Sequence, residues 1–343
     1  MVFRLPTFTH SAIMYAECRF QERNTAQSGR IRRWLGRGVL NLTLVISLVL
    51  FGGEIVGALS YRDTTPISDT LGPLTAFAAA VVVTLHFVLM FQTLSLSANS
   101  IAREKLKQTW EVLILTGIDA RTVVLGKWWA TVRRMARQYL LLGLLRACII
   151  GWVGAATTRS LYVYYASAYG RANQIATPTL IQFLTLVLVI MVFTLANLGF
   201  TAACGVAASA QSRQPVMALI RAFAIRTGFL VGTSLALGLL VAQFQIYFFV
   251  TGVNGELFGM LPLVVVGLVD NGATSAMTLV SYGTPGLQAG TILLMVMMTL
   301  ALYSGLTWFM LRQAEKQAVK HQALRHPRTL SVLGLRGQAL RGQ

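Results

Sequence analysis

The 343-residue chain is 55% hydrophobic and only 12% charged, with a formal charge of +18. A soluble domain carries about 25% charged residues, so the deficit excludes an ordinary soluble protein and points to lipid as the solvent. An excess of 29 Lys+Arg over 11 Asp+Glu could serve nucleic acid, but the basic residues lie mostly between apolar runs, the positive-inside pattern, which argues against that partner.

Residues 1–38 are polar and basic and lack the apolar core of a signal peptide, so the first span is expected to be an uncleaved anchor. Within them "SGRIRRWLGRG" (28–38) puts Ile31, Trp34 and Leu35 on one helical face among basic residues, which suits a short helix in the headgroup layer or an ordinary basic flank of the first span. A spanning helix needs about 20 mostly apolar residues. Six stretches qualify: 39–61, 71–97, 138–156, 178–210, 222–251 and 288–311. Residues 1–38, 98–137, 211–226 and the tail from Arg312 hold 25 Lys and Arg, against three in the alternate loops. Both termini are therefore expected in the cytoplasm of a multi-pass inner-membrane protein. The domain plan is 1–38, a cytoplasmic N-terminal segment; 39–311, the membrane domain; and 312–343, a cytoplasmic tail. That tail should begin as a helix and lose order beyond Pro327.

Between the fifth and sixth spans, region 252–287 holds two apolar pieces separated by Asp270-Asn271-Gly272, each too short to cross. They read as re-entrant helices on the outer side, or as a compact outer cap. Cys18, Cys148 and Cys204 form no CxxC pair and read as free thiols.

The chain carries no catalytic signature. Its Gly126-Lys127 pair is followed by Trp128, and Arg121 holds the place of the upstream glycine of a phosphate loop. HExxH and GxSxG are absent, and no metal or cofactor site follows. Within the spans the ionisable residues that stand out are Glu54, His86 and Arg146. They read as a polar path or relay, or as interhelical contacts that fix packing. Gly53-xxx-Gly57 and Gly228-xxx-Gly232 fit close helix packing, inside the chain or across a dimer.

The most informative stretch is "SIAREKLKQTWEVLILTGIDARTVVLGKWW" (100–129). From Ile101 to Thr116 it suits a helix, Gly117 a helix stop, and Asp119 the N-cap of a second helix. In that second helix Lys127, Arg134 and Arg137 share one side, with Val124, Trp128, Val132, Met135 and Tyr139 on another. Such a helix would lie along the membrane surface before turning into the third span.

The order of residues in this stretch resembles the segment between the second and third spans of type 2 ABC transporter permeases. The family pattern runs roughly I-x-x-E-R-E-x-G-T-x-E-x-L-L-x-T-P-L-S-x-x-x-I-x-x-G-K. Ile101, Glu104, Thr109, Glu111, Leu113, Thr116, Gly126 and Lys127 match it, with Lys105 in place of the Arg. Leu106 replaces the second acid, Gln108 the Gly, Ile114 one Leu and Gly117 the Pro. The opening "SAIMYAECRFQER" is similar to the NP-x-x-x-R-E-x-R start of some such permeases, with Glu17 and Arg19 retained.

The resemblance implies an all-α polytopic fold. It would have six transmembrane helices, an N-terminal amphipathic elbow helix, a cytoplasmic coupling helix in region 98–137, and re-entrant helices before the sixth span. It implies coupling to a separate cytosolic ABC ATPase, which would bind ATP and Mg, through Ile101, Arg103, Glu104, Lys105, Thr109, Trp110, Glu111, Leu113, Thr116 and Gly117. Glu104 and Glu111 would pair with basic groups of that ATPase, and Trp110 would fill a pocket in it. A second permease copy or related chain and membrane lipids are the other implied partners, and export is the implied direction. The mainly aliphatic spans lean toward an amphipathic or hydrophobic cargo. Two other readings compete: a permease-like scaffold without transport, and an intramembrane enzyme requiring Glu54, His86 and Arg146 to converge.

Overall fold

The computed structural model describes residues 12–26, 41–49, 52–53, 65–110, 118–169, 180–250 and 287–325. Among them the regular structure is entirely helical. The helices are α1 (Ala12–Ala26), a short α2 (41–49), α3 (Thr65–Leu106), α4 (Ala120–Tyr169), α5 (Leu180–Gln211), α6 (Pro215–Val250) and α7 (Leu287–Arg325). Three helices are long and apolar enough to cross a membrane, through Phe77–Leu106, Val187–Gln211 and Pro215–Gly232. The expected second to sixth spans overlap α3 to α7; the whole of the proposed elbow segment 28–38, all but the last residue of region 252–287, the tail beyond Pro327 and Glu54 lie outside the described residues.

Helix α5 is the centre of the bundle, packed against α3, α4, α6 and α7. Every side chain from Thr201 to Ala210 is buried. The stretch "TAACGVAASA" is nearly all small residues, which lets neighbouring backbones come close. The closest approach is at Gly205, where an added Cβ would lie 1.8 Å from Ser97 Oγ and 3.1 Å from the Ala98 amide nitrogen. One turn on, Ser209 Oγ accepts from the amides of Ile101 and Ala102 at 3.0 and 2.8 Å. The same sequence offset at both places means that α3 and α5 run parallel and in register.

Close packing therefore falls where the GxxxG spacings did not point. Gly53, Gly228 and Gly232 have no described atom near the position of an added Cβ. The three cysteines are free thiols, as expected, with Cys148 and Cys204 buried and Cys18 half-buried.

Three expected boundaries are corrected. The helix expected over 101–116 is interrupted at Lys107-Gln108, where Gln108 takes the left-handed conformation with φ 60°; Thr109 and Trp110 are helical again, and 111–116 lie outside the described residues. The last turn tightens, with the Gln108 amide donating to Lys105 O at 3.3 Å. Gln108 stands where the permease pattern has glycine, the residue that adopts this conformation without strain. A left-handed side-chain-bearing residue costs about 1–2 kcal/mol. Gln108→Gly is therefore expected to raise stability by about 0.5–1 kcal/mol after the extra unfolded-state entropy of glycine is subtracted, read as a higher thermal midpoint in detergent.

The second correction concerns α4, which is one continuous helix from Ala120 rather than a surface helix that turns into a span. Its start agrees with the expected cap, since the Val123 amide donates to Asp119 O at 3.2 Å. Its apolar line faces protein instead of lipid. Val124, Met135 and Tyr139 are buried, and Trp128 Nε1 donates to Gly199 O at 2.9 Å. Thirdly, the loop expected over 211–226 shrinks to 212–214. Pro215 opens α6, in the first helical position, where its missing N–H costs nothing.

Candidate functional site: a buried ion network

The ends of α1, α3 and α4 meet around Lys127, whose side chain is 1% exposed. A lysine ammonium has three donors, and all three are used here. Nζ lies 3.2 Å from Glu17 Oε2, 2.5 Å from Glu104 Oε1 and 3.0 Å from Ser100 O. Glu17 is itself shared: its Oε2 also accepts from Arg103 Nη2 at 3.3 Å, and its Oε1 accepts from Gln21 Nε2 at 3.3 Å. The Arg103 guanidinium stacks on the Phe20 ring, 3.4 Å from the ring centre.

Two carboxylates and two cations thus balance in a site largely withdrawn from water. That balance is the condition under which buried charges are tolerated. The cations also face the C-terminal end of α3, where its dipole favours positive charge. Lys105 lies outside this network and donates to Ala210 O at the end of α5.

Several residues expected at a partner surface lie here, and some of them contact their own chain. Ile101 is fully buried. Trp110, expected to fill a pocket in a partner, is 5% exposed and packs with Ile101, Ala120, Val123, Ala314 and Ala318 of its own chain. Glu104, expected to meet a partner's cation, is held by Lys127. Among the described residues of this segment, Leu106, Lys107, Gln108, Thr109, Ile118 and Asp119 are exposed. Leu106 is 62% exposed, a large apolar side chain facing outward beside charged groups. Glu111, Leu113, Thr116 and Gly117 lie outside the described residues.

Two members of the network, Glu17 and Lys127, were not singled out from sequence as site residues. Each was nonetheless a matched position, Lys127 of the permease pattern and Glu17 of the N-terminal similarity.

Deeper in the bundle, His86 and Arg146 are buried on the packed helices α3 and α4. Arg226, which sequence counting had assigned to a loop, is fully buried in α6. Its Nε donates to Thr201 Oγ1 at 3.1 Å, and Thr201 in turn donates to Asn197 Oδ1 at 3.2 Å. The guanidinium sits over the Phe200 and Phe229 rings at 5.2 and 5.7 Å, which shields it. Among the described residues no three of His, Cys, Asp and Glu gather as a metal site would require.

Fold and site together define a helical membrane protein whose α1, α3 and α4 ends are tied by a charge-balanced internal network. No family model matches the chain, and no curated protein matches it.

Proposed function

We propose that the chain is the membrane permease subunit of an ABC exporter, of the type 2 class, coupled to a separate cytosolic ATPase. In this reading six helices span the membrane with both termini cytoplasmic, and the subunit works as a pair with a second copy or a related chain. ATP and Mg bind to the ATPase, and the turn between α3 and α4 receives its motion. The observation that carries the reading is the convergence on Lys127. Glu104 and Lys127 are matched positions of the permease pattern and Glu17 of the separate N-terminal similarity, up to 110 residues apart, and one ion network joins them. The left-handed Gln108, at the pattern's glycine position, supports it independently.

In this reading the network makes the turn rigid. A push on the tip is carried into α3, α4 and α1 together instead of being lost in local bending. The docking contacts then come from the exposed tip, Leu106 to Thr109 with Ile118, and not from Glu104 or Trp110. The cargo leans toward an amphipathic or hydrophobic molecule, because the spans are mainly aliphatic.

The test is affinity capture of the tagged chain in mild detergent, wild type beside Leu106→Asp/Lys107→Glu, with mass spectrometry of co-purifying proteins. An ABC ATPase is expected with wild type and should fall at least several-fold in the variant, whose exposed substitutions leave the ion network intact. Recovery of other membrane subunits without any ABC ATPase would favour a non-transporting scaffold instead.

A further inference from the structure

Five helices reach the same end of the bundle as the Lys127 network. Lys105, at the end of α3, donates to Ala210 O at the end of α5. Trp110 and Ala120, on either side of the α3–α4 turn, pack in one cluster with Ala210 and with Ala314 and Ala318 of α7. Residues 212–214 follow α5 directly and lead into α6. Two segments remote in sequence, the 212–214 turn and stretch 314–318 of α7, therefore stand beside the α3–α4 turn.

The charge exposed at this end has one dominant sign. Among the described residues, Lys107 on the α3–α4 turn, Arg121 at the start of α4, Arg213 on the α5–α6 turn and Lys316 on α7 are exposed, against one exposed acid, Asp119. Glu104, the acid that the resemblance assigned to a partner, is only 16% exposed and holds Lys127. Other cations nearby have work inside the chain. Lys105 and Arg221 donate to Ala210 O and Gln211 O at the C-terminal end of α5, where the helix dipole favours a positive charge. Arg312 lies over the Trp308 ring. The four exposed cations have no such role, and none pairs with an acid among the described residues. Arg121 even stands in the first turn of α4, the end at which a helix dipole disfavours a cation.

We propose that Lys107, Arg121, Arg213 and Lys316 are the charged rim of the docking surface, beside the exposed Leu106, and that they take an acidic face of the cytosolic ATPase. The sign is the reverse of the one that the resemblance implied, in which glutamates of this chain meet basic groups of the partner. The surface also reaches beyond the α3–α4 turn, to the α5–α6 turn and to α7, so motion of the ATPase is passed to all five helices. A protein is the occupant because Lys107 and Arg213 sit on turns past the ends of α3 and α5, at the end of the bundle and not along its lipid-facing sides. An exposed leucine next to charged groups is also the mixture of apolar centre and polar rim that protein interfaces use. Rim charges of this kind govern partner choice and speed of association, and salt screens them. The proposal rests on the permease reading above.

The test captures co-purifying proteins on the tagged full chain in mild detergent, at about 0.1 and 0.5 M salt. Wild type is compared with Lys107→Glu/Arg213→Glu/Lys316→Glu and with Asp119→Asn, which keeps a residue suited to the helix cap. Wild type and Asp119→Asn are expected to retain an ABC ATPase at low salt. High salt should lower its recovery several-fold, and so should the triple variant at low salt. Equal recovery with the triple variant overturns the proposal. A rise in the triple variant with a loss in Asp119→Asn, the pattern of a basic partner face, overturns it too. Absence of an ABC ATPase from wild type, with other membrane subunits recovered, overturns the permease reading itself. If a lowered thermal midpoint shows that the triple variant is misfolded, Arg213→Gln/Lys316→Gln carries the test, and undiminished recovery with it removes the α5–α6 turn and α7 from the docking surface. A second arm compares thermal midpoints in nanodiscs of phosphatidylcholine with and without phosphatidylglycerol. A triple variant that loses the phosphatidylglycerol shift yet keeps the ATPase would assign these cations to lipid headgroups, and the proposal would fall.

Discussion

Replacing Lys127 with methionine is expected to destabilise the protein by about 3–5 kcal/mol, the loss seen when one partner of a buried ion set is removed. The side chain is 1% exposed and sits between two carboxylates, so the substitution leaves Glu17 and Glu104 facing each other without the cation between them. Glu17→Gln alone should cost less, because Lys127 keeps Glu104 and Ser100 O. The informative comparison is Lys127→Met/Glu104→Gln, which removes one cation and one carboxylate, leaves the Arg103–Glu17 pair in place and should recover much of the lost stability. Thermal unfolding of the four proteins in one detergent distinguishes the cases. If Lys127→Met were no worse than Glu17→Gln, the network would be a surface-like feature and its proposed role in stiffening the turn would fall.

Gly205→Ala is the second large effect, expected to cost at least the 1–3 kcal/mol typical of overpacking. The new methyl group would meet Ser97 Oγ at 1.8 Å, Ser97 Cβ at 2.7 Å and the Ala98 amide nitrogen at 3.1 Å. Only the first can move easily, since the others belong to the body of α3. Ser97→Gly should partly rescue it, because that removes two of the three contacts while adding only the cost of about 0.5–1 kcal/mol of a helical glycine. The two substitutions in combination should therefore be less damaging than their sum, a coupling read from a double-mutant cycle. Gly143→Ala is the matched control. Its nearest contact, 2.7 Å, is the sulfur of Met191, a flexible side chain that can yield. An equal loss at Gly143 and Gly205 would show that helix spacing at α3–α5 is not the limiting dimension.

Much of the helical plan was legible before the structure. Long apolar runs separated by basic segments mark α3 to α7, because lipid-length hydrophobicity and charge asymmetry are properties of local composition. The N-cap at Asp119 and the helical start of the tail at Arg312 were legible for the same reason: capping and periodicity act over a few residues. The stop at Gln108 was not. Glutamine has no preference for a left-handed conformation, and only the glycine of the permease pattern at that position hinted at one. Gly228-xxx-Gly232 finds no close neighbour within the chain, since a small-residue spacing states what could pack closely but not what lies opposite.

Composition and local pattern by themselves determined that this is a basic, helical, membrane-type chain, and which segment interrupts its apolar runs. Only the tertiary structure decided which charges face one another. Arg226 looked like a loop cation and lies in the core between Phe200 and Phe229, and Trp110 and Glu104 looked free for a partner and are held within the chain. The reason is physical. A helix fixes spacing along one axis, whereas the partner of a lysine or the neighbour of a glycine depends on the register between helices far apart in sequence, which no single segment encodes.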